Sequence, residues 1–112
     1  MTTTVQKQVL MNARALIADP AHWTRSFLAC NAAGYSVHWC DASATKWCAM
    51  GAIYRGAYEL VGDRDQATSI GTKVAKSISS LWLYQGLMIM NDTRGHAAIL
   101  ARFDKALAAA RN

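Results

Sequence analysis

The chain has 112 residues, of which 53% are hydrophobic and 17% charged, and its 12 Lys and Arg outnumber its 7 Asp and Glu to leave a net charge of +5. That length suits one domain, 1–112, burying about two-thirds of its unfolded surface without staples. The composition excludes a disordered chain, a disulfide miniprotein and an acidic nucleic-acid mimic, and no apolar run is long enough for a membrane span.

The first element in the chain reads as a helix. Thr3 with Gln6 forms a capping box, and Val5, Val9, Ala13, Leu16 and Ile17 make an apolar stripe at helical spacing. Asp19-Pro20 ends it, because the residue before proline is pushed out of helical geometry. Between 26 and 40 the pattern changes. Phe27-Leu28-Ala29-Cys30 and Tyr35-Ser36-Val37-His38-Trp39 flank Asn31-Ala32-Ala33-Gly34, which predicts a short β-hairpin or an extended ribbon. A second helix is expected from Asp41 or Ser43 to Gly62, with Ala44, Cys48, Ala52 and Gly56 four apart on one small face suited to a close helix crossing. A third starts from Asp63 with Gln66, turning Ile70, Val74, Ile78 and Leu81 to one side. Gly86 interrupts the following segment. Asp92 or Thr93 then caps a last helix carrying Ile99, Leu100, Phe103 and Leu107 inward. The fold expected is mainly α: a compact bundle of about four helices with the ribbon between the first and second.

Three sets of residues invite chemistry. Cys48, at a helix start that favours thiolate, with His96 as base and Asn91 or Asp92 to orient it, has the residue types of a Cys-His nucleophilic site for a hydrolase or transferase. The plainer reading makes Cys48 a small core hydrophobe and Asn91 and Asp92 turn and cap residues. Cys30, His38, Cys40 and Cys48 form a C-x7-H-x-C-x7-C set, formally zinc-competent but without a C-x2-C knuckle, so no cofactor is favoured. The aromatic residues include Trp23, Trp39, Trp47 and Trp82. Trp47 and Trp82 read as core, whereas Trp39, Tyr35 and Trp23 are the candidate recognition anchors, Trp39 first. Lys73 and Lys76 share a helix face that reads as solvated rather than as a phosphate track, leaving nucleic-acid binding an unsupported alternative.

The order Ala15-Leu16-Ile17, Trp23-Thr24, Trp47-Cys48-Ala49-Met50-Gly51-Ala52-Ile53 with Arg55, then Asn91-Asp92 before a final amphipathic helix resembles a family of small bacterial and phage proteins, domain-of-unknown-function family 6197. The likeness runs from about residue 8 to 108 and implies a mainly helical fold with a ribbon before the cysteine-bearing helix. It brings no established activity. Its positions here are Trp47, Cys48, Gly51, Ala52, Arg55, Asn91 and Asp92; Cys30, His38, Cys40 and Met90 depart from the pattern. The function expected is binding of a protein partner through the ribbon and exposed aromatics, as in phage or mobile-element accessory or counter-defence proteins. With an odd number of cysteines and no export signal, the location expected is the cytoplasm. Arg55 facing Asp92 in a buried pair is a further expectation, and the oligomeric state stays open.

Overall fold

The small residues of the middle helix organise the molecule, because they let two other backbone segments press directly onto it. In the computed structural model, which describes residues 4–79 and 84–109, the elements are α1 (Thr4–Leu16), a 3-10 turn (Pro20–His22), β1 (Ala29–Asn31), β2 (Ala44–Trp47), α2 (Ala49–Val61), α3 (Arg64–Ile78), α4 (Tyr84–Arg94) and α5 (His96–Ala109). A Cβ on Gly51 of α2 would lie 1.8 Å from the Leu28 carbonyl oxygen, and one on Gly56 would lie 3.0 Å from both the Ala13 nitrogen and the Val9 carbonyl oxygen. Glycine at 51 thus seats the chain entering β1, and at 56 it seats α1. Of the expected small face, Ala52 and Gly56 lie in the helix, while Ala44 opens β2 and Cys48 is the N-cap.

The local signals at the other ends hold. Asp19 Oδ1 accepts from Ala21 N at 2.9 Å and turns the chain after α1. Gly62, left-handed at φ 71°, closes α2, and Asp63 Oδ2 accepts from Gln66 N at 2.8 Å to open α3. Leu10, Ile17, Met50, Ile53, Leu87, Ile99 and Phe103 fill one shared core. Val5, expected on the apolar stripe of α1, is exposed; Thr3, Leu81 and Trp82 lie outside the described residues. No helix among the described residues is long and apolar enough to cross a membrane.

A two-stranded antiparallel ribbon does stand between α1 and α2, but its second strand is not 35–39. The turn forms as expected, with Asn31 Oδ1 accepting from Ala33 N and Tyr35 N at 3.0 Å each and Gly34 at φ 88°. The chain after it adds only a Cys30–Ser36 bridge. The regular partner of β1 is β2, pairing Ala29 with Trp47 and Cys30 with Lys46. Residues 44–47 were expected to be helical because Asp41 and Ser43 are good N-caps. Here Asp41 Oδ1 instead accepts from Ser43 N at 2.8 Å and from Ser43 Oγ at 2.7 Å, closing a turn that sends the chain back along β1. The last helix is also displaced from the expectation. Asp92 and Thr93 lie inside α4, where Thr93 Oγ1 donates to Ile89 O at 2.7 Å, and Gly86 lies there too rather than interrupting the chain. The break falls at Gly95, whose φ of 93° suits glycine alone.

Candidate functional site

Asn91 makes four hydrogen bonds through its side chain. It is fully buried on α4, and its amide employs all its hydrogen-bonding capacity. Oδ1 accepts from Trp23 Nε1 at 2.7 Å and from Ala49 N at 2.9 Å; Nδ2 donates to Thr24 O and to Asp92 Oδ1, both at 3.1 Å. The partners fix the orientation of the amide, since the first two groups only donate and the last two accept. Ala49 N is one of the N–H groups a helix start leaves without an internal partner. Asn91 therefore caps α2 from a different helix while holding the segment 23–24 against it.

Asp92 extends the same clamp. Its Oδ1 accepts from Ser26 N at 3.0 Å, and Ser26, at φ 70°, is the one non-glycine residue at positive φ among the described residues. Left-handed backbone at such a residue costs about 1–3 kcal/mol and persists where its surroundings hold it. The next side chain, Phe27, points outward and is 48% exposed. Arg25 is exposed as well, its guanidinium carbon 5.1 Å from the centre of the Trp23 ring. Ile89, 55% exposed, lies one helical turn before Asp92 on α4. The sequence reading missed this corner, placing Phe27 in a strand. The signal available was the pairing of Trp23-Thr24 with Asn91-Asp92 in one pattern.

The proposed nucleophile lies in a different environment. Cys48 is 4% exposed, and burial pushes its thiol up to about 11, with the Gly51 and Met50 amides pulling the other way. Its sulfur accepts from Gly51 N at 3.4 Å, as an N-cap does. His96 is a tie between helices: its Nε2 donates to Ile17 O at 2.6 Å, and its ring packs 5.5 Å from that of Trp23. No Cys48–His96 hydrogen bond is present among the described residues. The structure thus brings Asn91 and Asp92 close to the Cys48 helix start and engages both in backbone positioning.

Two expectations are corrected. Trp39 is buried, stacked on Tyr54 at 5.4 Å and edge-on to Tyr58 at 6.0 Å, because these two tyrosines stand one turn apart on α2 and enclose it. Trp39 cannot serve as the exposed anchor. Arg55 does not meet Asp92. It donates from Nη1 to Trp39 O at 3.3 Å and Asp41 O at 3.2 Å, and it lies 3.8 Å from Glu59, so it pins the turn after Trp39. Of the other anchors, Trp23 is half-buried and Tyr35 is 72% exposed at the ribbon turn; Trp47 is core, as expected.

All three cysteines are free. Cys30 and Cys48 are buried, whereas His38 is exposed and its Nδ1 accepts from Cys40 N at 3.1 Å. No three His, Cys, Asp or Glu side chains among the described residues are grouped to hold a metal ion. His38, Trp39, Tyr58 and the start of α3 border an open cleft of about 550 Å3 in which Asp63, Arg64 and Asp65 mix both signs of charge. Lys73 and Lys76 are exposed on α3. A model of a family of unknown function, DUF6197, matches residues 1–109. No curated protein and no solved structure matches the chain.

Proposed function

We propose, for a chain that belongs to the DUF6197 family of unknown function, that it acts by binding another protein and that the corner Arg25–Phe27 is its principal contact. The observation that carries this reading is Phe27 held out on a strained backbone by the Asp92–Ser26 bond. A strained conformation, held in place while an aromatic ring is left in water, is what a recognition element requires and a stable fold does not. Preorganisation of this kind lowers the ordering cost of association. Arg25, exposed two residues before Phe27 with its guanidinium over the Trp23 ring, and the net charge of +5 suggest the chemistry of the partner: an apolar pocket for Phe27 rimmed by carboxylates. Tyr35, exposed at the ribbon turn, is a second ring open to a partner.

Stoichiometric binding of this kind is how accessory and counter-defence proteins of phages and mobile elements act, and that role is proposed here on association alone. The raised thiol of Cys48 supports binding over cysteine chemistry. The test is quantitative capture from the cells that carry the protein, comparing wild type with Phe27→Asp, Tyr35→Asp and, as control, Lys73→Gln. The reading expects one saturable protein partner that Phe27→Asp loses by about 30-fold or more, at unchanged melting temperature. A partner held equally by wild type and Phe27→Asp, or no saturable partner for wild type, refutes it.

A further inference from the structure

The hairpin of α4 and α5 carries a second feature that the Phe27 corner does not use. Met90 and Arg94 on α4 face Ala98, Ala101, Arg102 and Lys105 on α5 across a cleft of about 260 Å3. The spacing of the four α5 residues places them on one helical face. The floor is apolar, with Met90 buried, and the charged lining is Arg94, Arg102 and Lys105 with no carboxylate among them.

The acids of these two helices are engaged elsewhere. Asp92, the one acid of α4, accepts from Ser26 N and Asn91 Nδ2. Asp104, the one acid of α5, holds Arg14 through bonds of 2.7 and 3.3 Å. Arg102 Nε, moreover, is shut off from water with no hydrogen-bond partner. A buried guanidinium N–H left without an acceptor is costly, and three like charges around one cleft repel. A bound oxyanion relieves the repulsion, and the outer guanidinium nitrogens of Arg94 and Arg102 and the Lys105 ammonium are the groups that would hold it.

We propose that this cleft binds the phosphate group of a small phosphomonoester. Guanidinium forks match the spacing of phosphate oxygens, and a lysine adds a point charge free of geometric demand. The size fits a phosphate with a few attached atoms, since sites for drug-sized ligands start at about 300 Å3. A nucleic-acid backbone calls for cations spread along a track, whereas these three gather at one point, and Lys73 and Lys76 lie outside the lining.

The test is an amide NMR titration of the full chain with inorganic phosphate, then a nucleoside monophosphate, then a short single-stranded oligonucleotide. The proposal expects saturable shifts confined to residues around 90–105, with the monophosphate binding at least as tightly as phosphate. Arg102→Gln and Lys105→Gln should each weaken binding by about tenfold or more, as expected for a charge-assisted bond, and Lys73→Gln should leave it unchanged. Lys105 is exposed, so its variant keeps the fold even where Arg102→Gln disturbs it. The proposal is overturned by binding that fails to saturate below about 10 mM, by Lys105→Gln binding as wild type does, or by the oligonucleotide occupying the cleft far more tightly than the monophosphate.

Discussion

Replacing Asn91 with leucine tests the clamp most severely, because the branched shape of the side chain is kept while every polar contact is lost. The substitution strands Ala49 N in the buried start of α2, and it leaves Trp23 Nε1 and Thr24 O unpartnered in part-buried positions. A buried group left unsatisfied costs about 1–3 kcal/mol, with the lower end suited to the two part-buried groups, so the expected loss is about 4 kcal/mol. Domains of this size hold about 5–15 kcal/mol in total, so the variant should stay folded at 25 °C but melt about 15 °C lower. Asn91→Asp separates the donor half of the amide from the acceptor half. It keeps an oxygen for Trp23 and Ala49 but turns a carboxylate toward Thr24 O and Asp92. Its acid is therefore held neutral in the fold, so its stability should be fullest at low pH and fall as pH rises past the unfolded carboxyl value. Urea and thermal denaturation of both variants provide the readout. A loss below about 1 kcal/mol for Asn91→Leu would show that the four bonds are not what joins α2, α4 and the segment 23–24.

Other substitutions probe the remaining contacts. Gly51→Ala places a Cβ against the Leu28 carbonyl, where nothing flexible can yield, and should cost about 3 kcal/mol or more by urea denaturation. Burial raises the Cys48 thiol from 9.0 to about 11; the unfolded chain ionises first as pH rises, so stability should fall between pH 9.0 and about 11 by roughly 2–3 kcal/mol. Cys48→Ala should flatten that slope, and alkylation at pH 8 should reach the less buried Cys40 well before Cys48. Hydrogen bonding to Arg14 holds the Asp104 carboxyl below its usual range, so Asp104→Asn should remove under about 1 kcal/mol at neutral pH. That difference should shrink in high salt and vanish as pH falls through the folded value of the carboxyl.

What the sequence revealed follows the range of its signals. α1, α3 and the stop at Gly62 were legible because periodicity and caps act within a few residues, and the family pattern pointed to Trp47, Cys48, Gly51 and Asn91-Asp92 as positions of consequence. The role of Asn91 was not legible, since its partners Trp23 and Ala49 lie 68 and 42 residues away and nothing local marks a bond across that distance. Asp41 and Ser43 misled for a physical reason: the oxygen that caps a helix also closes a turn, and the choice depends on whether β1 is at hand to pair. Trp39 was misplaced in the same way, its burial depending on Tyr54 and Tyr58 across the fold. Phe27 was read as a strand residue because only Asp92, far along the chain, holds Ser26 at positive φ.

The central claim is that Asp92 presents Phe27 to a protein partner. The most direct measurement is photo-crosslinking from a probe at position 27 in living cells, in the wild-type background and with Asp92→Ala, alongside a probe at Lys73. The account predicts one discrete adduct from position 27, largely lost with Asp92→Ala while the protein stays folded, and none from position 73. An adduct from position 27 that is undiminished by Asp92→Ala, or one that forms equally from position 73, would contradict it.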